Sequence, residues 1–282
     1  MHMRLIDYHI HCNYSPDNKN KIRDVIEAVG KRNLLDACII AHFEPSTFGK
    51  PSFFSRPNSI TVDEISSYFK EVGRCNRELG QNVKIGLEVE YDEKIGKQIG
   101  KVLDEYPFDF ILGSCHFIDG HTISADAEAA RPFFEKNDPK EAARKYFERI
   151  KNAISSDMFD SMAHLDVIRK SATGFYGSFP FEIYSGHIKE ISRLLLKHDT
   201  CFEVNTNPSV LGKQVMYPPV EAIRMLYSEG VRAVTLGSDA HTIERIGDRL
   251  PEVIRILEQV GFKEISTFNR RIRKPVPISD LG

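Results

Sequence analysis

Six of the ten histidines in this chain stand where short apolar runs end. His9 and His11 close the run Leu5-Ile6-Asp7-Tyr8. In an extended strand, residues two apart point to one face, so this H-x-H pair aims two imidazoles at the same place. His42 ends the run from Leu35, His116 the run from Phe108, and His164 the run from Phe159. His241 follows the run 231–237 through Ser238-Asp239-Ala240. Carboxylates accompany them: Asp17 beyond the first run, Glu88 and Glu90 near the end of NVKIGLEVE at 82–90, and Asp239. Imidazole and carboxylate are the usual ligands of divalent transition metals. One ion takes about four to six ligands, so this set suits two or three. Nitrogen and oxygen donors without thiolate fit zinc, manganese or iron. Clustered ions of this kind suit phosphoester hydrolysis: they hold phosphoryl oxygens, acidify a water and stabilise the leaving oxygen. His2, His121, His187 and His198 fall outside the run ends and read as surface residues.

The elements that must carry these residues alternate. Strand-like runs at 5–11, 35–42, 82–90, 108–116, 159–164, 200–206 and 231–237 are separated by helical stripes. The helices fall at 20–31, 61–79, 94–106, 138–155, 181–197, 218–228 and 243–260. The first shows the pattern: Ile22, Val25, Ile26 and Val29 share one face. Such alternation gives a parallel sheet, and seven units predict an α/β fold with a distorted (β/α)7 TIM-like barrel. In these barrels the C-terminal ends of the strands open on one mouth, where residues far apart in sequence converge. Stretches 44–60, 117–137 and 171–181 read as irregular connections, the first as a satellite core or a lid. The whole chain, 1–282, reads as one domain, with 261–282 as a tail. The tail's Arg270, Arg271, Arg273 and Lys274 read as a solvated face or a partner contact.

Charge is nearly balanced, 38 basic against 40 acidic residues, with no basic stripe, which disfavours nucleic acid as a partner. No apolar run approaches the roughly 18 residues of a membrane span, and the first residues enter a strand without a secretory segment. The five cysteines are scattered, without a CxxC pair, which predicts free thiols and a cytoplasmic location.

The chain resembles the polymerase and histidinol phosphatase (PHP) family from residue 4 to about 262. The resemblance runs through D-Y-H-I-H at 7–11 with Ser15 and Asp17, G-L-E-V-E-Y at 86–91 and G-S-C-H-F at 113–117. It continues through A-H-L-D-V-I-R-K at 163–170, E-V-N-T at 203–206 and G-S-D-A-H at 237–241. It implies the PHP fold and a site for three ions. One would take His9, His11, Glu88 and Asp239; a second Glu88, His116 and His164; a third Asp17, His42 and His241. The acid that often precedes the strand-two histidine in this family is Ala41 here, and Glu44 stands as its candidate replacement.

The branch most resembled implies hydrolysis of L-histidinol phosphate, a step of histidine biosynthesis, by a hydroxide bridging the ions. The alternatives are another small phosphate ester or nucleotide, or a non-catalytic metal-binding role. Asp239 or His241 would move the proton. A monoester dianion also needs protein cations, for which Arg169 is the first candidate and Lys213 the second. Asn205 is a candidate hydrogen-bond donor to substrate or a loop anchor. Glu44 or Glu90 would meet the substrate's ammonium group.

Overall fold

The computed structural model describes residues 3–15, 17–32, 34–46, 54–55, 59–124, 127–207 and 216–282. Its centre is a seven-stranded sheet, all of whose ladders are parallel, with the strands side by side in chain order. The strands are β1 (Ile6–His11), β2 (Asp36–Phe43), β3 (Lys84–Glu90), β4 (Phe110–Ser114), β5 (Ser161–Met162), β6 (Cys201–Asn205) and β7 (Val234–Gly237). The helices are α1 (Ile22–Lys31), α2 (Val62–Leu79), α3 (Gly96–Glu105), α4 (Ala127–Phe134), α5 (Pro139–Ile154), α6 (Arg169–Tyr176), α7 (Ser185–Lys197), α8 (Val220–Ser228) and α9 (Leu250–Val260). The stripe on α1 buries Ile22, Val25, Ile26 and Val29, as its spacing requires. Local chemistry sets the helix starts. Glu64 accepts the Thr61 backbone N–H at the head of α2, and Asp138 accepts from Lys140 and Glu141 at the head of α5.

The sheet is a nearly closed barrel. β7 and β1 meet without a full ladder: His11 N–H donates to the Ala240 carbonyl at 3.1 Å, and Ala240 N–H to the His9 carbonyl at 3.3 Å. The fully buried carboxylate of Asp7 completes this seam. It accepts from the Ser238 N–H (2.9 Å), the Ser238 hydroxyl (2.5 Å) and the Gly247 N–H (2.9 Å). That last bond explains why the helix expected over 243–260 is interrupted. A short 3₁₀ turn, Ile243–Arg245, gives way to positive φ at Gly247 and Arg249, and α9 starts only at Leu250.

The barrel floor holds a second departure. Residues 264–277, expected within a tail, form an antiparallel hairpin of β8 (Glu264–Asn269) and β9 (Ile272–Pro277). Phe268 of β8 packs 5.0 Å from Phe110, and its backbone N–H and carbonyl both bond the Tyr8 hydroxyl. Tyr8 also meets Phe110, three strands away in the sheet order, so both rings lie inside the barrel. The basic cluster at the hairpin is partly spent on this docking. Arg270 and Arg271 adopt positive φ, and their N–H groups donate to the side chain and carbonyl of Asp109. The Arg271 guanidinium reaches Asp160 at 3.1 Å, and Arg273 reaches Asp199 at 2.6 Å.

Two stretches expected to be irregular contain helices: α4 lies within 117–137, and α6 covers much of 171–181. Gly174 is tolerated inside α6, and the helix stops at Gly177, where φ is +73°. Of the 44–60 connection, Pro45–Ser46 pairs with Phe54–Ser55. The expectation of a lid there falls mostly outside the described residues.

Phe268→Ala should destabilise the protein by about 3–5 kcal/mol, the usual range for removing a buried aromatic ring. Thermal or denaturant unfolding would measure this, and KM should stay unchanged because the ring lies at the end of the barrel away from the strand C-termini.

Candidate metal centre

The nine residues expected as ligands all come to the C-terminal mouth of the barrel. Asp17, His42, Glu88, His116, His164, Asp239 and His241 line a cavity of about 260 Å³. His9 and His11 are fully buried beneath it. Register explains part of this: His42 on β2 and Glu88 on β3 are direct partners in the parallel ladder. Backbone strain explains another part. His164 and Asp239 both adopt positive φ, +25° and +50°, just past short strands. Such conformations cost of order 1 kcal/mol or more outside glycine and cluster at functional sites.

The donor atoms form compact groups. His9 Nε2 lies 3.1 Å from His11 Nε2, 3.4 Å from Glu88 Oε2 and 3.5 Å from Asp239 Oδ1. His11 Nε2 lies 3.6 and 3.3 Å from the same two oxygens. In a second group, Glu88 Oε1 is 3.3 Å from His116 Nε2 and 3.0 Å from His164 Nε2, and the two nitrogens are 3.3 Å apart. In a third, Asp17 Oδ2 is 3.1 Å from His241 Nε2 and 3.7 Å from His42 Nε2. Ligands bound tetrahedrally at about 2.0–2.1 Å stand about 3.3 Å apart, the spacing of the first two groups.

The charge balance asks for a cation. Glu88 Oε2 is buried and accepts no hydrogen bond, although imidazole nitrogens surround it. Burial would raise the pKa values of Glu88 and Asp239, but the surrounding imidazoles outweigh it and hold both well below the carboxylate range. Burial likewise opposes charge on His9, yet Glu203, Asp239 and Glu88 prevail and hold it well above normal. His116 is raised to about 10 against burial, chiefly by Glu88, while burial and the nearby His241 and His42 push His11 down to about 3. Anionic carboxylates facing converging ring nitrogens are the chemistry of a divalent-metal site, so the donor set fits the ions the sequence implies.

A ring of buried groups orients these donors. The carboxylate of Glu203, 1% exposed, takes His9 Nδ1 at 2.6 Å on one oxygen. Its other oxygen takes the His164 backbone N–H at 2.9 Å and the Asn205 amide at 3.0 Å. Sequence reading passed over Glu203 as a site residue. The available signal was a lone carboxylate in the middle of the apolar run Thr200–Val204. Gly237 lets it approach: a Cβ there would lie 2.1 Å from Glu203 Oε1 and 2.5 Å from the Cβ of His9. Ser15 Oγ holds His11 Nδ1 at 3.1 Å and accepts the His42 backbone N–H. Glu90 is spent on the His116 N–H and Arg149. Glu44 stands 3.4 Å from His116 Nδ1 and lines the cavity, and its charge also acts on His42.

The expected substrate contacts are placed differently. Arg169 is bound to Asp166 (3.1 Å) and the Met216 carbonyl (2.9 Å), with its guanidinium 5.3 Å from the Tyr217 ring centre. Tyr217 and Lys170, rather than Arg169, line the cavity. The Asn205 amide is turned inward to Glu203 and Asp239, and Asn207 lines the cavity in its place. Lys213 lies outside the described residues. A separate cluster of Glu148, His187 and Glu190 is already served by Lys151, whose ammonium lies 2.5 Å from both carboxylates.

The PHP domain family matches residues 7–207. The chain belongs to the PHP family. A probable histidinol-phosphatase of Clostridium acetobutylicum is 29% identical over 96% of this chain and 99% of its own length. The histidinol-phosphatase of Lactococcus lactis is 24% identical over 95% of each chain. The fold matches that of a histidinol phosphate phosphatase from L. lactis, solved with zinc, L-histidinol and phosphate, at a TM-score of 0.80 and 23% identity over 96% of this chain and 99% of that one. A putative histidinol phosphatase from Listeria monocytogenes superposes at 0.74, with 21% identity over 86% of this chain and 97% of that one.

Because the site couples carboxylates and protonated imidazoles, metal uptake should displace protons and stabilise the fold. Stripping divalent ions should lower the melting temperature. Restoring zinc should raise it and release protons, measured by calorimetry in two buffers of different ionisation enthalpy.

Proposed function

We propose that the protein is a metal-dependent phosphomonoesterase that hydrolyses L-histidinol phosphate to L-histidinol and phosphate. The observation that carries the chemistry is Glu88, whose two oxygens each belong to a different group of imidazoles. The substrate rests on the relatives named above, which align over nearly their whole length. Two or three ions, zinc, manganese or iron, would be held by His9, His11, Glu88 and Asp239; by Glu88, His116 and His164; and by Asp17, His42 and His241. When bound, they acidify water and neutralise the phosphoryl oxygens. A cytoplasmic location fits the five free, buried cysteines. No helix among the described residues is long and apolar enough to cross a membrane.

The protein's own groups do the remaining work. Asp239 and His241 handle the proton. His241 Nδ1 lies 3.4 Å from Asp239 Oδ1, and the ring is partly open to the cavity. We read the pair as the route by which the proton leaves the attacking water and reaches the leaving alcohol; the openness of the His241 ring to the cavity supports this. Lys170, exposed at the cavity wall, supplies positive charge for the dianion. Arg169 acts from behind, holding the Tyr217 wall. Glu44 accepts the substrate's ammonium group from its place in the wall.

The test is kcat/KM for histidinol phosphate against sugar phosphates, nucleotides and an amine-free ester, with metal content determined on the same sample. A clear preference for histidinol phosphate is expected; a preference for any of the others would overturn the substrate assignment. Glu44→Gln should lower kcat/KM about tenfold more for histidinol phosphate than for the amine-free ester, the scale of one charge-assisted hydrogen bond. An equal loss on both would limit Glu44 to supporting His116.

A further inference from the structure

Glu203 faces three donors with two oxygens. His9 Nδ1, the His164 backbone N–H and the Asn205 amide converge on it at 2.6, 2.9 and 3.0 Å. Oε2 accepts both N–H groups, and Oε1 faces Nδ1 at hydrogen-bond distance, an arrangement that matches a carboxylate accepting from an Nδ1–H. Nε2 is then the nitrogen that faces the first donor group and would bind an ion once its own proton is displaced. The same carboxylate holds the backbone of His164, in its left-handed conformation, through the other oxygen. It touches none of Asp17, His42 and His241.

We propose that Glu203 is the positioning residue shared by the two inner metal groups, setting the tautomer of His9 for one and the backbone of His164 for the other. This rests on the reading of the mouth as a metal centre. It acts through its neighbours and contacts neither substrate nor ion. It makes no direct contact with the outer group, Asp17, His42 and His241.

The consequence is sharpest for the isosteric change Glu203→Gln. Glutamine must turn its NH2 toward either His9 or His164. The His164 backbone N–H cannot become an acceptor, whereas His9 can move its proton from Nδ1 to Nε2. The NH2 therefore turns to His9, and the proton on Nε2 points into the first donor group and blocks it. The structure of the barrel need not change for this to happen. Glu203→Asp keeps the charge and both acceptors, so it keeps the proton on Nδ1 while loosening the fit.

The experiment titrates metal-free wild type, E203Q and E203D with zinc and with cobalt, whose visible absorption reports each ion's coordination. Zinc-loaded samples labelled with 15N-histidine report which His9 nitrogen carries the proton. Circular dichroism checks folding. In E203Q the affinity of the first group should fall about 10–100-fold, the usual effect of losing such a partner, with His9 Nε2 protonated and the outer group binding as in wild type. In E203D the loss should be smaller, with Nδ1 still protonated. Wild-type affinity throughout in E203Q, or equal weakening of all groups, would overturn the proposal. If E203Q does not fold, E203D decides: a His9 proton on Nε2, or unweakened binding, would overturn it. A wild type that binds neither metal would instead overturn the metal centre itself.

Discussion

Glu88, with 1% of its side chain exposed, has five imidazoles within 3.6 Å. Placing a carboxylate in such a position costs several kcal/mol of lost hydration unless positive charge replaces the water. The rings come from β1, the end of β2 and the segments after β4 and β5, and His9, His42 and His116, held above the normal range, supply that charge only when those strands are neighbours. The centre of the site is thus also a test of the fold. A slipped register or an open barrel would leave Glu88 buried and uncompensated.

The closing seam meets the same requirement from the other side. β1 and β7 share only a short bridge through Ile10 and Ala240, weaker than the ladders between the other strands. Asp7 makes up the difference by gathering donors from Ser238 and Gly247. This buried carboxylate lies two residues before His9 and bonds the residue just before Asp239. It therefore fixes how the first and last donors of one group approach each other. It does so at the cost of breaking the helix that the apolar pattern of 243–260 would otherwise continue.

What could be read from sequence follows from how local each signal is. A histidine ending an apolar run is visible because strand periodicity and chemistry coincide over a few residues, and all six such histidines reach the mouth. Glu203 carries the same chemistry but sits inside its run, and its partners His9 and His164 lie 194 and 39 residues away. Its place at the head of E-V-N-T makes it part of the resemblance, but nothing local says which groups it holds. Arg169 and Asn205 show the opposite failure. Each has the right type beside a recognisable motif, but a short rotation about the chain decides whether the side chain faces the cavity or its neighbours. Here Lys170 and Asn207 take the wall. The hairpin of 264–277 was missed because its strands alternate weakly. What holds it is Phe268 against Tyr8 and Phe110, with Arg271 on Asp160, contacts that exist only after the barrel has formed.

The donor groups differ in the water they see, and this orders them. His9, His11, Glu88 and His164 are 0–4% exposed, whereas Asp17 and His241 are 36% and 31% exposed. Inner charges interact through a low effective dielectric and are poorly screened, so an ion there replaces hydration that the protein has already removed. The outer pair keeps part of its own hydration, and its spacing to His42, 3.7 Å, is looser. An ion held there would gain less from the protein and would stay open to exchange with solvent. The same openness places Asp17, His42 and His241 in the wall of the cavity. The inner donors are thus the ones whose charges depend most on one another, and the outer pair the one that an incoming ligand would reach first.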